Sequence, residues 1–383
     1  MDFAIPRETQ EEAGRFKVFL DKHLSPHLSQ WYEQGAVPRS FFSLMAEQDW
    51  FSFSFSEDRV KKGTALREAL FAEAMAKISP GVAVAVLAHQ DLGLTGLWLF
   101  GSPPLQKKYG PPAVLGKTLL CIGNTESGAG SDSANIAMQA NQVDGGWVLN
   151  GAKAYVTNGS ISDYAMVTAL SDPGSERNRR ISMFLVDLHS KGVSRHKLNK
   201  QVWVPSDLTR VQCSNVFVPE DHLVGERGRG LQQVLSIFTH SRVVISALTL
   251  GTALGAFELA VEHGKKRTIF GRSLLDQQGK AFELADLFSR LEAARLMTLK
   301  ACWAMDQGQD FRLESSLAKY LAVQIARDVT IWAADLFGAA SVIRDHPIHK
   351  FPMDAWASSL GEGTQDVQKL VIFREVMKRT SDK

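Results

Sequence analysis

Asp144-Gly145-Gly146-Trp147-Val148-Leu149-Asn150-Gly151-Ala152-Lys153-Ala154-Tyr155-Val156-Thr157-Asn158-Gly159 is the stretch on which the fold reading turns. Trp147 and Leu149 alternate with Val148 and Asn150, and Tyr155 and Thr157 continue the two-residue period. That period predicts a strand that presents Tyr155 and Thr157 on one face. Asp144-Gly145-Gly146 supplies a hairpin turn ahead of it. Residues 181–187 and 211–218 read as further strands, the second stopped by Pro219. A β region therefore occupies residues 119–230.

On either side the period lengthens to that of a helix. Phe16, Phe19, Leu20 and Leu24 recur at helical spacing, and Leu66, Leu70, Phe71 and Ala74 share a helical face. Gly81, Gly93, Gly101 and Pro103-Pro104 punctuate this part into several helices. Residues 50–62 alternate phenylalanine with serine before turning charged, and no element is assigned to them. Beyond Gly230, Leu284, Leu287, Phe288, Leu291 and Ala294 form the clearest stripe, and helices are expected over 231–266, 280–305, 312–337 and 364–379. The expected fold is α+β in three domains: an N-terminal α-helical domain (1–118), a middle β-barrel or sandwich domain (119–230) and a C-terminal four-helix bundle (231–383).

Composition narrows the function classes. With 45% hydrophobic and 22% charged residues and a net charge of +2, the chain has ordinary globular character. Its basic residues are scattered, the tightest group being Arg177, Arg179 and Arg180, which argues against nucleic-acid binding. Cys121, Cys213 and Cys302 lie far apart, so neither a disulfide framework nor a metal site is expected. No stretch is read as reaching the ~18 apolar residues that span a bilayer, so no membrane insertion is expected. The opening Met-Asp-Phe-Ala-Ile-Pro-Arg-Glu lacks a leader pattern, and a cytoplasmic location is expected.

Two segments carry candidate chemistry. Cys121-Ile-Gly-Asn-Thr-Glu-Ser-Gly-Ala-Gly-Ser-Asp132 follows an apolar run, but Ser133 stands where a dinucleotide fingerprint needs its third glycine, and a hairpin follows rather than a helix. The segment can offer backbone N–H groups and the hydroxyls of Thr125 and Ser131 to a polar ligand; a plain glycine-rich turn has the same composition. Tyr155 and Thr157 could stack against and hydrogen-bond a flat heterocycle, or simply form a half-buried strand face. Near the C-terminus, Leu360-Gly361-Glu362-Gly363-Thr364 sets one carboxylate between two glycines. Thr364 is placed to cap a helix with Asp366 in its first turn. The glycines leave Glu362 and its N–H open to a substrate, and an apolar pocket would raise its pKa toward that of a general base; a flexible loop before a capped helix is the plainer alternative.

Taken in order, five motifs resemble the acyl-CoA dehydrogenase family over essentially the whole chain. They are 125–132, 150–159, Val218-Pro219 with Leu223-Val224-Gly225-Glu226, Arg267-Thr268-Ile269-Phe270-Gly271-Arg272 with Gln278, and Gly361-Glu362-Gly363-Thr364. The resemblance implies FAD between the β domain and the bundle. It implies contacts from Thr125, Ser131, Tyr155 and Thr157, and from Thr364 and Asp366 on the same side. Arg267, Phe270, Gln278, Asp335 and the Gly338 turn would reach the FAD of a neighbouring subunit, which implies a homo-oligomer, a tetramer in this family. Ser131, Arg242 and Gly363 fall at substrate-side positions.

The implied reaction is α,β-dehydrogenation of an acyl-CoA thioester to the 2-enoyl-CoA. Glu362 takes the α-proton, the β-hydride passes to flavin N5, and electrons leave through an electron-transfer flavoprotein. Some members carry the base at the position of Ser241; here Glu362 is the matching carboxylate. The sequence departs from the family pattern at Asp335, at Gly338-Ala339-Ala340-Ser341, at Met353, at Tyr155 and at Gly361, where a bulky aromatic is common and a wide or branched acyl group would fit instead. Three alternatives stay open: a dehydrogenase of acyl or aminoacyl groups tethered to a carrier protein, a non-catalytic flavin-binding member, and an oxygen-using relative.

Overall fold

Amphipathic spacing builds the first helical region as expected. The computed structural model describes residues 5–381; residues 1–4 and 382–383, assigned above to the first and third domains, lie outside the described residues. In the helix Arg7–His23, Phe16, Phe19 and Leu20 are buried, and Leu24 joins the same core. In the helix Ala65–Ile78, Leu70 and Phe71 are buried but Leu66 and Ala74 only half so, because neighbours pack around most of its circumference. The unassigned 50–62 stretch contains a hairpin of β1 (Phe53–Ser56) and β2 (Arg59–Lys62). Glu57 and Asp58 turn it at φ 54° and 58°, the left-handed pair a two-residue hairpin requires.

Gly101 and Pro103 do separate two helices, but Gly81 and Gly93 do not punctuate. Gly81 lies in the helix Pro80–Leu87 and Gly93 in the π-helical turn Ala88–Leu94 that continues it. Both are needed for close approach instead: a Cβ on Gly81 would fall 2.5 Å from Pro205 Cδ, and one on Gly93 2.5 Å from Leu120 Cβ.

The middle of the chain forms one eight-stranded sheet. Its strands are β3 (Leu120–Gly123), β4 (Gln139–Val143), β5 (Gly146–Thr157), β6 (Tyr164–Leu170), β7 (Ile181–Asp187), β8 (Val193–Lys197), β9 (Leu208–Pro219) and β10 (Leu223–Val224). Their order is β10-β7-β6-β4-β5-β9-β8, with β3 parallel beside β6. Pairing Trp147 with Val218 and Leu149 with Val216 buries all four in the sheet core. The β5–β9 ladder slips twice, between Leu149 and Gly151 and between Lys153 and Val156; the second slip matters for the site.

Four long helices, Gly230–Lys266, Gln278–Asp306, Arg312–Phe337 and Gln365–Ser381, follow at the predicted places. Of the predicted stripe, Leu287, Leu291 and Ala294 are buried and Leu284 is half-buried. Phe288 is exposed and lies against Phe257, ring centroids 5.8 Å apart. The expectation of no membrane-length apolar stretch needs correcting. Pro80–Phe100 and Gly230–Lys266 reach mean hydropathies of 1.4 and 1.8 over such a window. Each window is 83% buried inside the protein, so the apolarity belongs to the core.

The helix Gly230–Lys266 crosses Ala65–Ile78 backbone to backbone. A Cβ at Gly251 would meet Glu73 O at 2.3 Å, and one at Gly255 would meet Lys77 O at 2.3 Å. Gly251→Val forces these helices apart and is expected to cost about 1–3 kcal/mol. Chemical denaturation followed by circular dichroism checks this; an unchanged midpoint would contradict the packing described.

Candidate active site

Glu362 sits at φ 55° and Gly363 at φ 94°, a conformation that a glutamate adopts only when its surroundings impose it. The surroundings here are donors aimed at the backbone carbonyls of the loop. Lys319 Nζ donates to Gly361 O and, at 2.6 Å, to Gly363 O. Arg242 Nε donates to Glu362 O at 3.0 Å. Gln368 Nε2 donates to Gly363 O at 2.9 Å and lies 3.3 Å from Glu362 O. Thr364 Oγ1 accepts from Val367 N at 3.4 Å, the expected cap, and Asp366 occupies the first turn, paired with Lys369.

Lys319 and Arg242 are both buried. Burial pushes the Lys319 ammonium down to about 8, against the opposing pull of the Glu362 charge. Glu362 as a residue is half-buried, yet its Oε2 is sealed from solvent and has no direct hydrogen-bond partner. Burial raises its carboxyl above the ordinary range; Lys319, the Ser241 hydroxyl and Arg242 act in the other direction.

Glu362 and Gly361 open onto a cavity of about 150 Å³. Val84, Leu87, Ala88, Leu92, Phe238 and Ile245 give it apolar walls, and Asn124, Thr125, Tyr155, Thr157 and Trp203 give it a polar and aromatic side. The strand alternation read from sequence does not survive here. A strict two-residue period would put Lys153 on the face of Tyr155 and Thr157. The slip between Lys153 and Val156 turns Lys153 into the core, and Tyr155 takes φ 56°. Tyr155 and Thr157 still reach the same cavity, and the Tyr155 side chain stays 62% exposed.

The buried Lys153 anchors the glycine-rich segment. Its Nζ bonds Glu126 Oε1 at 2.6 Å and Asn124 O at 3.0 Å, and Glu126 accepts from Ala137 N and Met138 N at 2.6 and 3.1 Å. Burial pulls Lys153 down to about 8, with Glu126 opposing. Ser127 and Gly128 make the tight turn between Glu126 and Ala129, which exchange backbone hydrogen bonds. Thr125 thus reaches the cavity, but Ser131 is exposed and not on its wall; beside it Asp132 pairs with Arg177.

Five predicted residues lie elsewhere. Arg267, Phe270 and Gln278 surround a short hairpin, β11 (Thr268–Ile269) and β12 (Arg272–Ser273), and all three are exposed, Phe270 at 95% and φ 50°. Asp335 and Gly338 are exposed at the end of Arg312–Phe337. None of the five lines the cavity of its own chain.

Sequence reasoning missed Lys319, Gln368, Trp203 and the apolar wall. Lys319 had a readable signal: Ser315, Lys319, Ala322 and Ala326 share a helix face, and all are buried. A lysine on such a stripe needs buried acceptors.

The cavity fits a flat, polar-edged heterocycle. The fold holds the Tyr155 ring uncovered at the end of a bulge, next to two threonine hydroxyls and Trp203, while a Cβ at Gly128 or Gly130 would meet nothing within 4 Å.

Lys319→Met leaves the Gly361 and Gly363 carbonyls without their shared donor. It is expected to lower stability by about 1–3 kcal/mol in thermal unfolding and to make the 360–364 loop the first site of proteolysis. A variant as stable and as resistant as the parent would contradict the role described for Lys319.

Three family models match the chain in register with this architecture: the acyl-CoA dehydrogenase N-terminal domain over 7–117, the middle domain over 121–216 and the C-terminal domain over 228–377. Probable acyl-CoA dehydrogenase FadE25 of Mycobacterium tuberculosis is 29% identical over 98% of this chain and 97% of its own. The butyryl-CoA dehydrogenase structure from Megasphaera elsdenii superposes with a TM-score of 0.93 at 28% identity, over 98% of this chain and 100% of that one. The FAD complex of PigA does so with a TM-score of 0.93 at 26% identity, over 99% and 100%. The chain belongs to the acyl-CoA dehydrogenase family of FAD-dependent oxidoreductases.

Proposed function

We propose that this chain dehydrogenates a short acyl-CoA thioester, with Glu362 as the base that removes the α-proton. The single observation that carries the reading is a carboxylate, Glu362, with one oxygen sealed from solvent, on the wall of a small apolar cavity that also bears the aromatic and hydroxyl groups of a heterocycle site. The likeness to a butyryl-CoA dehydrogenase at 28% identity supports a short tail, with the open side at Gly361 leaving room for a branch.

Thr125, Ser131, Tyr155 and Thr157 would hold FAD from the sheet side, and Thr364 and Asp366 from the bundle side. When bound, FAD supplies the acceptor for the β-hydride. The chain's own residues do the rest. The Glu362 N–H, which makes none of the described hydrogen bonds, is free to polarise the thioester carbonyl, stabilising enolate character at the α-carbon. The Glu362 carboxylate takes the α-proton; the α C–H and β C–H bonds break and a C=C bond forms. Gly363 and Ser131 leave space and a hydroxyl for the acyl-pantetheine arm, and Arg242 fixes the loop from beneath. The apolar walls exclude water from the carboxylate.

We also infer a homo-oligomer, a tetramer by family, in which Arg267, Phe270, Gln278, Asp335 and Gly338 complete a neighbour's FAD site. Phe270, Phe282, Val342 and Phe373 are strongly exposed in the single chain, apolar side chains that an assembly would cover. An electron-transfer flavoprotein is the expected electron acceptor.

Anaerobic mixing of the FAD-loaded protein with butyryl-CoA tests the reading. Flavin bleaching should slow at least about 100-fold in Glu362→Gln while FAD binding persists. Only the ionised carboxylate accepts a proton, and its pKa is raised. The bleaching rate should therefore fall on acidification at a pH above the ordinary glutamate range. Bleaching by E362Q at the parent rate would overturn the assignment of the base.

A further inference from the structure

Next to Glu362 lies a second carboxyl with no obvious structural purpose. Asp91 is in the π-helical turn Ala88–Leu94 and is wholly buried. π-Turns inside α-helices recur at functional sites. Its two buried polar neighbours in that turn are satisfied. His89 donates from Nε2 to Ala113 O at 3.1 Å and accepts Leu120 N on Nδ1 at 3.1 Å, and Gln90 Oε1 accepts Ser52 N at 2.7 Å. Asp91 is the exception: neither Oδ1 nor Oδ2 has a hydrogen-bond partner.

The groups that face Asp91 come from four elements. They are Lys62 on β2, Glu68 on the helix Ala65–Ile78, Ser241 on Gly230–Lys266, and Glu362 on its loop. Lys62 and Glu68 are themselves a buried ion pair, each side chain 3% exposed, so the one nearby cation is already engaged. Lys62 also faces His240 and Asp306. On the other side of Ser241, Glu362 faces Lys319 and Arg242. The Ser241 hydroxyl interacts with both the Asp91 and the Glu362 carboxyls, without a short, straight bond to either, and Glu362 Oε2 is likewise without a direct partner. The three orphan oxygens thus belong to two carboxyls that share one hydroxyl neighbour.

Desolvation and the repulsion between the two buried carboxyls both favour a proton on one of them. Asp91 is the deeper of the two and faces Glu68, and burial followed by the Glu68 charge raises its carboxyl well above the usual range, against Lys62. Glu362 has Lys319 and Arg242 on its side.

We propose that Asp91 is a positioning residue that holds the pair's single proton. Its neutral carboxyl donates to Ser241 Oγ, and the Ser241 hydroxyl donates in turn to Glu362 Oε2. One chain of two hydrogen bonds then engages two of the three orphan oxygens, keeps Glu362 ionised and holds the carboxylate in orientation. No proton is gained or lost in this arrangement; it fixes which acid carries it. The inference rests on the reading of Glu362 as the base.

Two measurements decide it. The first is infrared difference spectroscopy at neutral pH between the parent protein and D91N, which needs no turnover. The expected difference is the C=O stretch of a protonated carboxyl, present before and lost after the Asp91 change; its absence overturns the proposal. The second is the pH profile of flavin bleaching by butyryl-CoA. Asp91→Asn, whose amide can still donate to Ser241, should leave the acid limb in place. Asp91→Leu and Ser241→Ala, which break the chain, should each move it up by about one pH unit, a tenfold change in the base's proton affinity. The two shifts should not add in the double variant. An acid limb that moves down in D91N shows an ionised Asp91 and overturns the proposal, as does a limb unmoved in both D91L and S241A. Bleaching that survives in E362Q overturns the base assignment instead, whatever the infrared band shows.

Discussion

Everything around the site depends on a clamp on three consecutive carbonyls. Lys319 holds those of Gly361 and Gly363, Arg242 that of Glu362, and Gln368 reinforces the last two. A glutamate at φ 55° is strained by roughly 1–3 kcal/mol, and the strain persists because these donors would lose these acceptors if the loop relaxed. The clamp in turn fixes what the rest of the fold must do. Lys319 and Arg242 come from two different helices of the bundle, and Gly251 and Gly255 let the Arg242 helix lie directly on the N-terminal region that walls the cavity.

The same clamp resolves an electrostatic conflict. A base for an α-proton must be stripped of water to be strong, yet it must remain charged, and burying a lone carboxylate is costly. Two cations solve this without occupying the carboxylate oxygens, because they donate to backbone carbonyls of the same loop. Their charge favours the ionised form, while Oε2 stays unpartnered among protein groups. Lys153 and Glu126 apply the same logic across the cavity, a buried pair that pins a glycine-rich turn otherwise free to move. Both devices use lysines whose burial pulls them down to about 8.

Much of this was legible in the residues. Alternation at 146–157 and the long helical stripes placed the sheet between helical regions, and the Gly-Glu-Gly-Thr sequence located both the carboxylate and the helix cap at Thr364. What escaped did so for identifiable reasons. A bulge inserts one residue into a strand without changing its composition, so the period suggested that Lys153 and Tyr155 share a face when they point apart. Phe53–Ser56 and Arg59–Lys62 form a hairpin whose turn, Glu57-Asp58, lacks the glycine that marks such turns. Gly81 and Gly93 looked like punctuation because the backbones they admit, at Trp203 and Leu120, are distant in sequence. Lys319 was hidden on a buried helix stripe and Asp91 in a turn with no motif around it, so neither stood out. Arg267, Phe270, Gln278, Asp335 and Gly338 face outward from one chain, and their proposed role is one that no single chain can display.

The central claim is that Glu362 exchanges a proton with the α-carbon of a bound acyl thioester. The most direct test is to incubate the FAD-loaded protein anaerobically with butyryl-CoA in deuterated water and follow deuterium at C2 by mass spectrometry. The account predicts incorporation at C2 by the parent protein and none above background by E362Q. Exchange by E362Q at the parent rate would place the base elsewhere and contradict the account.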